Sequence, residues 1–250
     1  MAAVTHDLVD GVGRLVLSRA EQSNSFDLPA ARDMALAVEA VSADEVRAIT
    51  LTAEGKRFCA GGDVTSFLAS DDAAAYLLEL ATVLEGALRT LAELATPVVA
   101  GVRGAVAGAG LAVMLSADVI VASRSTKFVM AYPGIGLTPD CGASYLVPRA
   151  IGQQRALDFA LTGRVLSADE ACDWGLVSYV VDDDEVEQKV DQIARTWADT
   201  APLALGQARR LIRGSWDTTA AEQGADESAT IAAAVTGAEA QRLVAAFTSR

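Results

Sequence analysis

Two short segments rich in glycine and alanine constrain this chain more than any other feature. They lie at Phe58–Val64 and Gly101–Gly110, and each follows a run rich in β-branched residues, at 46–52 and 97–102. Small residues let the backbone approach a ligand closely, and glycine also reaches positive φ. The pattern predicts two strands that each end in a loop, with backbone N–H groups exposed to a ligand.

Two N–H groups that converge on one carbonyl oxygen form an oxyanion hole. They stabilise the negative charge that develops on that oxygen, and each donor is typically worth a few kcal/mol. Alternatively, both segments are tight turns shaped only by packing. The residues alone leave both interpretations open.

The net charge of the chain limits its partners. Its 250 residues fit one large domain or a domain with a small appendage. The formal charge is −13, and no basic stripe is present to meet nucleic-acid phosphates. A polyanionic small ligand would need backbone N–H groups and a few local cations. The candidate cations are Lys56, Arg57, Arg103, Arg124 and Lys127.

The cysteines and the single histidine exclude several kinds of chemistry. Cys59, Cys141 and Cys172 are odd in number and lack metal-ligand spacing, which predicts reduced thiols in a cytoplasmic protein. His6 is the only histidine, so a catalytic triad and a His-rich zinc site are not expected. We expect no metal.

The sequence also gives no sign of a targeting or membrane segment. The first residues do not resemble a signal peptide. Charged residues and proline interrupt the apolar stretch 91–113, so no membrane span is expected.

Strand and helix patterns alternate early, and the last third is almost entirely helical. Strands are predicted at 13–18, 46–52, 97–103, 118–122, 127–130 and 176–181. Helices are predicted at 29–41, 71–94, 109–116, 152–161, 167–174, 184–198, 202–213 and 218–247. Asp27 is a predicted N-cap, and Ser167 with Glu170 resembles a capping box. This order predicts an α/β core with a helical C-terminal part.

The order and spacing of these motifs resemble the crotonase (enoyl-CoA hydratase/isomerase) superfamily. The matching segments are 19–26, 58–64, 101–122, 128–149, 161–181 and 236–247. The resemblance implies a spiral of ββα units, a crotonase core at 1–195 and a helical C-terminal trimerisation region at 196–250. It also implies a homotrimer or a dimer of trimers.

The same resemblance implies an acyl-CoA substrate, with the coenzyme A thioester as substrate rather than a separate cofactor. The two oxyanion donors would be the N–H groups of Gly62 and Ala109, and Tyr132 and Leu137 would line the pocket. Tyr132 would either donate a hydrogen bond or simply pack. The residues matching CoA-lining positions are Gln22, Asn24, Ala60, Gly61, Asp63 and Val64.

Two of these residues have structural alternatives. Asn24 is equally well explained as a turn residue. The carboxylate of Asp63 would oppose charge developing at an oxyanion loop, so we expect it to turn away and to accept backbone hydrogen bonds.

The departures from the family pattern point to the reaction. Hydratases of this family use two glutamates, and the matching positions here are Ala112 and Tyr132. Hydration needs a group that activates water and a proton donor, so ordinary hydratase activity is not expected.

A different carboxylate is present at Asp140, in the segment 135–140 (Ile-Gly-Leu-Thr-Pro-Asp). This segment resembles the branch of enoyl-CoA isomerases and of a ring-epoxide acyl-CoA isomerase, in which an acid at this position moves the proton. Asp140 could instead cap a helix that begins near Gly142, since aspartate is a favoured N-cap.

The sequence leaves other functions open. Within the family these are hydration with a relocated base, hydrolysis, decarboxylation, or CoA-ester binding without catalysis. A dinucleotide-binding oxidoreductase is a weaker alternative, because Val113 stands where the third glycine of its motif is required.

Overall fold

The computed structural model describes residues 2–249, which form an α/β core followed by helices. The strands are β1 Val4–Val9, β2 Val12–Leu17, β3 Ala48–Ala53, β4 Val98–Val102, β5 Ala105–Ala107, β6 Val119–Ser123, β7 Lys127–Val129, β8 Val165–Ser167 and β9 Tyr179–Val181. The helices of the core are α1 Leu28–Ala40, α2 Val64–Leu68, α3 Ala73–Glu93, α4 Ala109–Leu115, α5 Ala143–Ile151, α6 Gln153–Leu161, α7 Ala168–Trp174 and α8 Val186–Thr200. Helices α9 Pro202–Gly214, α10 Ala220–Ala234 and α11 Ala238–Thr248 complete the chain. The predicted fold class is confirmed.

The strands form two sheets. The larger has the order β1-β2-β3-β4-β6-β9, and all its pairs are parallel except β1 with β2. The smaller has the order β5-β7-β8. Every residue of β4 is buried, as expected for a parallel strand covered on both faces. The two glycine-rich segments follow β3 and β4, so both loops leave the same edge of the larger sheet.

Helix packing covers the larger sheet on both faces. Helices α1 and α3 belong to the main apolar core on one face. On the other face Val186, Val190, Ala194 and Ala198 of α8 pack on valines and an alanine of β2, β3, β4 and β6. These four residues recur at helical spacing, which explains how α8 covers that face.

The predicted capping residues are confirmed. The Asp27 side chain accepts a hydrogen bond from the Ala30 N–H at 2.8 Å, and Pro29 lies in the first turn of α1. Ser167 and Glu170 form a complete capping box at the start of α7.

Several predicted boundaries are wrong. The helix expected at 71–94 begins at Ala73, capped by Asp72, and the short helix α2 precedes it. The helix expected at 218–247 is broken near Gly237 into α10 and α11. Strand β1 was not predicted because only Val4 is buried, so it lacks an apolar alternation. The three-residue strands β5 and β8 were not predicted as elements either, whereas α5 begins at Ala143, beside the helix start expected near Gly142. The division of the chain into a core at 1–195 and a C-terminal region at 196–250 stays a prediction.

One buried arginine attaches α9 to the core. Arg209 has a side chain that is 4% exposed and pairs with Asp118 at 2.6 Å. It also donates to the carbonyls of Leu91, Ala92 and Leu94 near the end of α3. Those carbonyls lack partners within their own helix, so one side chain satisfies several of them. By contrast, α10 and α11 bury no residue.

Among residues 2–249, no helix has the length and apolar composition needed to cross a bilayer.

Candidate active site

The two glycine-rich loops are held together by backbone hydrogen bonds. Cys59 forms a parallel bridge with Val106: its N–H donates to Ala105 O at 3.2 Å, and its carbonyl accepts from Ala107 N at 3.0 Å. Gly110 packs so closely that a Cβ there would lie 2.6 Å from the Cys59 carbonyl oxygen. Glycine at 110 is therefore required for this approach.

The two predicted oxyanion donors lie in these neighbouring loops. A Cβ placed on Gly61 would lie only 3.6 Å from the Ala109 nitrogen. Within residues 2–249, neither the Gly62 N–H nor the Ala109 N–H donates to another backbone or side-chain group. The flanking N–H groups do: Asp63 N donates to Phe26 O and Gly108 N donates to Val129 O. Both predicted donors are thus left available for a ligand oxygen.

Tyr132 and Asp140 form a hydrogen-bonded pair beside these loops. Tyr132 begins a 3-10 turn after β7, and its hydroxyl donates to Asp140 Oδ1 at 2.7 Å. Its ring carbon Cζ lies 3.9 Å from the point that a Cβ on Gly108 would occupy. Burial, followed by the charge of Asp140, raises the pKa of Tyr132 far above its ordinary value. The hydroxyl therefore stays protonated and remains a donor.

The helix-capping interpretation of Asp140 is wrong. The N-cap of α5 is Gly142, which is in the left-handed conformation, and no side chain caps that helix. The residue contributes only its main-chain carbonyl, which accepts from Ala143 N at 2.9 Å. The half-buried carboxylate instead accepts from Tyr132, and Leu137 packs nearby against the core.

Asn24 has a structural role. Its Nδ2 donates to Glu54 O at 2.9 Å and to Arg57 O at 2.8 Å, and its φ is 53°. The turn interpretation is therefore confirmed, and both hydrogens of the amide are used inside the protein. The side chain thus orders the loop that leads into Phe58, whereas Gln22 is exposed in the preceding 3-10 turn.

The carboxylate of Asp63 turns away from the loop, as expected. It caps α2 by accepting from Ser66 N at 3.3 Å and pairs with Arg19 at 3.3 Å. Arg19 also pairs with Asp27 at 2.9 Å, so it ties α1 to the loop. The exposed residues of this loop are Ala60, Gly62 and Val64, whereas Gly61 is buried.

The remaining polar groups near the site do not supply a nucleophile. Burial raises the pKa of the Cys59 thiol to about 12, and burial together with Asp140 raises that of Cys141. Both thiols are protonated at neutral pH and therefore weakly nucleophilic. Ala112 of α4 is fully buried, and because its side chain is a methyl group this position supplies no acid.

Two features were not found from the sequence. One is the contact between Tyr132 and Asp140. The other is a cavity of about 660 Å³ beside Cys141, between α3, α5 and α9. It is lined by Glu85, Leu88, Arg89, Cys141, Tyr145 and Arg213, among others. Residues far apart in the chain form it, so no local pattern could have indicated it.

Comparison with known proteins identifies the family. The family model for enoyl-CoA hydratase/isomerase matches residues 8–250, and the chain belongs to this family, within the crotonase superfamily. The 1,2-epoxyphenylacetyl-CoA isomerase of Escherichia coli is 37% identical over 212 residues, covering 84% of this chain and 81% of that protein. The trans-2-decenoyl-[acyl-carrier-protein] isomerase of Streptococcus mutans is 34% identical over 193 residues, covering 76% and 73%.

Solved structures agree with this fold. The enoyl-CoA hydratase/isomerase from Cupriavidus metallidurans has a TM-score of 0.91 and 33% identity, covering 100% of this chain and 94% of that chain. Other relatives carry the names of a hydratase and of a dehalogenase. The family is thus established, whereas the names of its members cover several reactions.

Proposed function

We propose that this protein is an acyl-CoA isomerase that shifts a C=C bond, with Asp140 as the acid/base and the N–H groups of Gly62 and Ala109 as the oxyanion hole. The substrate is a 3-enoyl-CoA converted to 2-enoyl-CoA, or a related ring-epoxide acyl-CoA. The observation that carries the proposal is the carboxylate of Asp140, which lies beside the glycine-rich loops and is not used to cap a helix. The lack of an acid at Ala112 and Tyr132 favours isomerisation over hydration.

The proposed reaction needs only one base. The carboxylate of Asp140 removes a proton from C2, and the C–H electrons move into a dienolate whose negative charge lies on the thioester oxygen. The two N–H groups stabilise that oxygen in the transition state. The protonated acid then returns the proton to C4, the electrons form the C2=C3 bond, and the enzyme regains its starting state. The cycle consumes no water, metal or cofactor.

Substrate binding in this proposal depends on backbone and shape more than on charge. The CoA moiety lies along the loop containing Ala60, Gly61 and Val64 and along the exposed turn at Gln22. In this proposal the acyl group enters the cavity of about 660 Å³ that is lined by Cys141, the residue after the proposed base in the chain.

We also propose a homotrimer or a dimer of trimers. Helices α10 and α11 have no buried residue. Ile231, Val244 and Phe247 on these helices, and Val235 between them, are more than half exposed. Apolar surface of this kind is typical of an interface between copies. Light scattering is expected to give the mass of three or six chains, and a monomer would contradict the assembly.

The reaction itself is tested by giving the purified protein a 3-enoyl-CoA or a 2-enoyl-CoA and following the absorbance of the conjugated thioester. Growth of that absorbance with the 3-enoyl-CoA is expected, with little loss from the 2-enoyl-CoA. The Asp140→Asn variant keeps the shape and removes the base. We expect its rate to fall about 100-fold to 10,000-fold, the usual value of a general acid/base, with CoA-ester binding retained.

Two results would overturn the proposal. One is an Asp140→Asn variant with nearly full isomerase rate. The other is a wild-type protein that hydrates 2-enoyl-CoA much faster than it isomerises 3-enoyl-CoA. A protein that binds CoA esters and transforms neither substrate would instead favour binding without catalysis.

A further inference from the structure

We propose that Tyr132 is a positioning residue that holds the Asp140 carboxylate by one oxygen, so that the other oxygen carries the proton in both transfers. This inference rests on the proposed function of Asp140. It assigns a role to a tyrosine that stands where hydratases of the family would place an acid.

The two carboxylate oxygens of Asp140 differ in their surroundings. Oδ1 accepts the Tyr132 hydroxyl at 2.7 Å. Within residues 2–249, no N–H or O–H group of the protein donates to Oδ2, and the Cys141 thiol is the other group that interacts with this carboxylate. A hydrogen bond to an ionised carboxylate is stronger and more directional than a neutral one. The carboxylate is therefore held through Oδ1, and Oδ2 is the oxygen available to a substrate C–H.

The ring of Tyr132 is itself held in place. The residue is buried, and its carbonyl accepts from Leu137 N at 3.0 Å, which closes the turn. Its ring faces Gly108, where a Cβ would lie 3.9 Å from Cζ and 4.0 Å from Cε1. The tyrosine thus bridges the loop of the Ala109 donor and the proposed base. Such support keeps a catalytic group in its productive geometry.

Only a few titratable groups lie near this pair. Cys141 follows Asp140 in the chain, Cys59 lies on the loop after β3, and Glu85 faces Cys141 from α3. The two thiols are neutral over the range in which a carboxylate titrates, because burial raises their pKa values. Glu85 is paired with Arg89 at 3.4 Å. Among these groups, the Tyr132 hydroxyl and the Cys141 thiol interact with the Asp140 carboxylate.

The test is Tyr132→Phe, which removes one hydroxyl and keeps the ring against Gly108. We expect kcat to fall about 10-fold to 100-fold, the value of a hydrogen bond to a charged group, with KM changed less than about 3-fold. A fall in kcat with little change in KM is the result expected of a group that acts on the transition state rather than on substrate binding.

The matched control is Tyr76→Phe. Tyr76 is partly buried, and its hydroxyl accepts one hydrogen bond, from Leu28 N at 3.0 Å. The hydroxyl that donates to Asp140 is that of Tyr132. This variant should keep both the kcat and the KM of the wild type. Unchanged circular dichroism and melting temperature for Tyr132→Phe would show that its loss of rate is not a loss of fold.

A double variant separates this inference from the proposed function. If Tyr132 acts only through Asp140, then Tyr132→Phe should cost almost nothing in the Asp140→Asn background, since coupled residues are not additive. An equal loss in both backgrounds, or a wild-type kcat for Tyr132→Phe alone, would overturn the positioning role. If Asp140→Asn alone kept nearly the full isomerase rate, the proposed function itself would be overturned.

Discussion

The candidate site has two halves that are built in opposite ways. The loops after β3 and β4 supply backbone N–H groups, and they work because side chains are missing at Gly61, Gly108 and Gly110. The other half is a pair of polar side chains, Tyr132 and Asp140. The first half is sensitive to a carbon atom added at Gly61 or Gly110, and the second to the loss of a single oxygen atom. In our proposal the backbone half stabilises the thioester enolate, and the side-chain half selects the reaction.

The largest effect on the backbone half is expected from Ala109→Pro. Ala109 is the first residue of α4, a position at which proline is well tolerated because its N–H has no partner in the helix. The substitution therefore removes the proposed donor with little change to the fold. We expect kcat to fall about 100-fold to 1,000-fold, as for loss of an oxyanion donor, while binding of a CoA ester changes much less.

A proline at the same position of another helix is the control. Gln153 is the exposed first residue of α6, so Gln153→Pro should leave the isomerase rate unchanged. An Ala109→Pro variant that remains folded and as active as Gln153→Pro would show that the Ala109 N–H is not a donor. The contrast between a backbone half and a side-chain half would then be wrong for this loop.

The backbone half could be recognised from the sequence, and the side-chain half only in part. Glycine and alanine after a β-branched run indicate a close approach of backbone wherever they occur, so the loops could be placed from local pattern. The contact between Tyr132 and Asp140 depends on how the turn at 132–135 folds back. Sequence reasoning therefore named both residues and missed their hydrogen bond.

The same limit explains the errors in the fold. Buried elements such as β4 carry a clear apolar pattern, and their positions are correct. Strand β1 is the edge strand of the larger sheet, and almost all of its side chains are exposed. Its sequence therefore shows no alternation of apolar and polar residues from which a strand could be predicted. The attachment of α9 by Arg209 joins residues about a hundred positions apart, and nothing local predicts that a charged residue there is buried.

The smallest expected effect compares two adjacent glycines of the backbone half. Gly61 has φ of +102°, and a Cβ there would lie 3.0 Å from the Ala107 carbonyl oxygen. A Cβ on Gly62 would have no atom within 4 Å, and its φ is not positive. Gly61→Ala should therefore lower the free energy of unfolding by roughly 1–3 kcal/mol, the usual cost of such backbone strain. Gly62→Ala should change it by less than about 0.5 kcal/mol.

Urea unfolding of both variants, followed by circular dichroism, measures this difference. Equal destabilisation by the two substitutions would mean that the loops do not approach each other at Gly61. A large effect at Gly61 alone would locate the steric requirement of the backbone half at the residue that faces Ala109. The glycine at 62 would then be needed for its N–H and for open space in front of it, rather than for its conformation. That distinction matters for the proposed chemistry, because a donor in open space is accessible to a thioester oxygen.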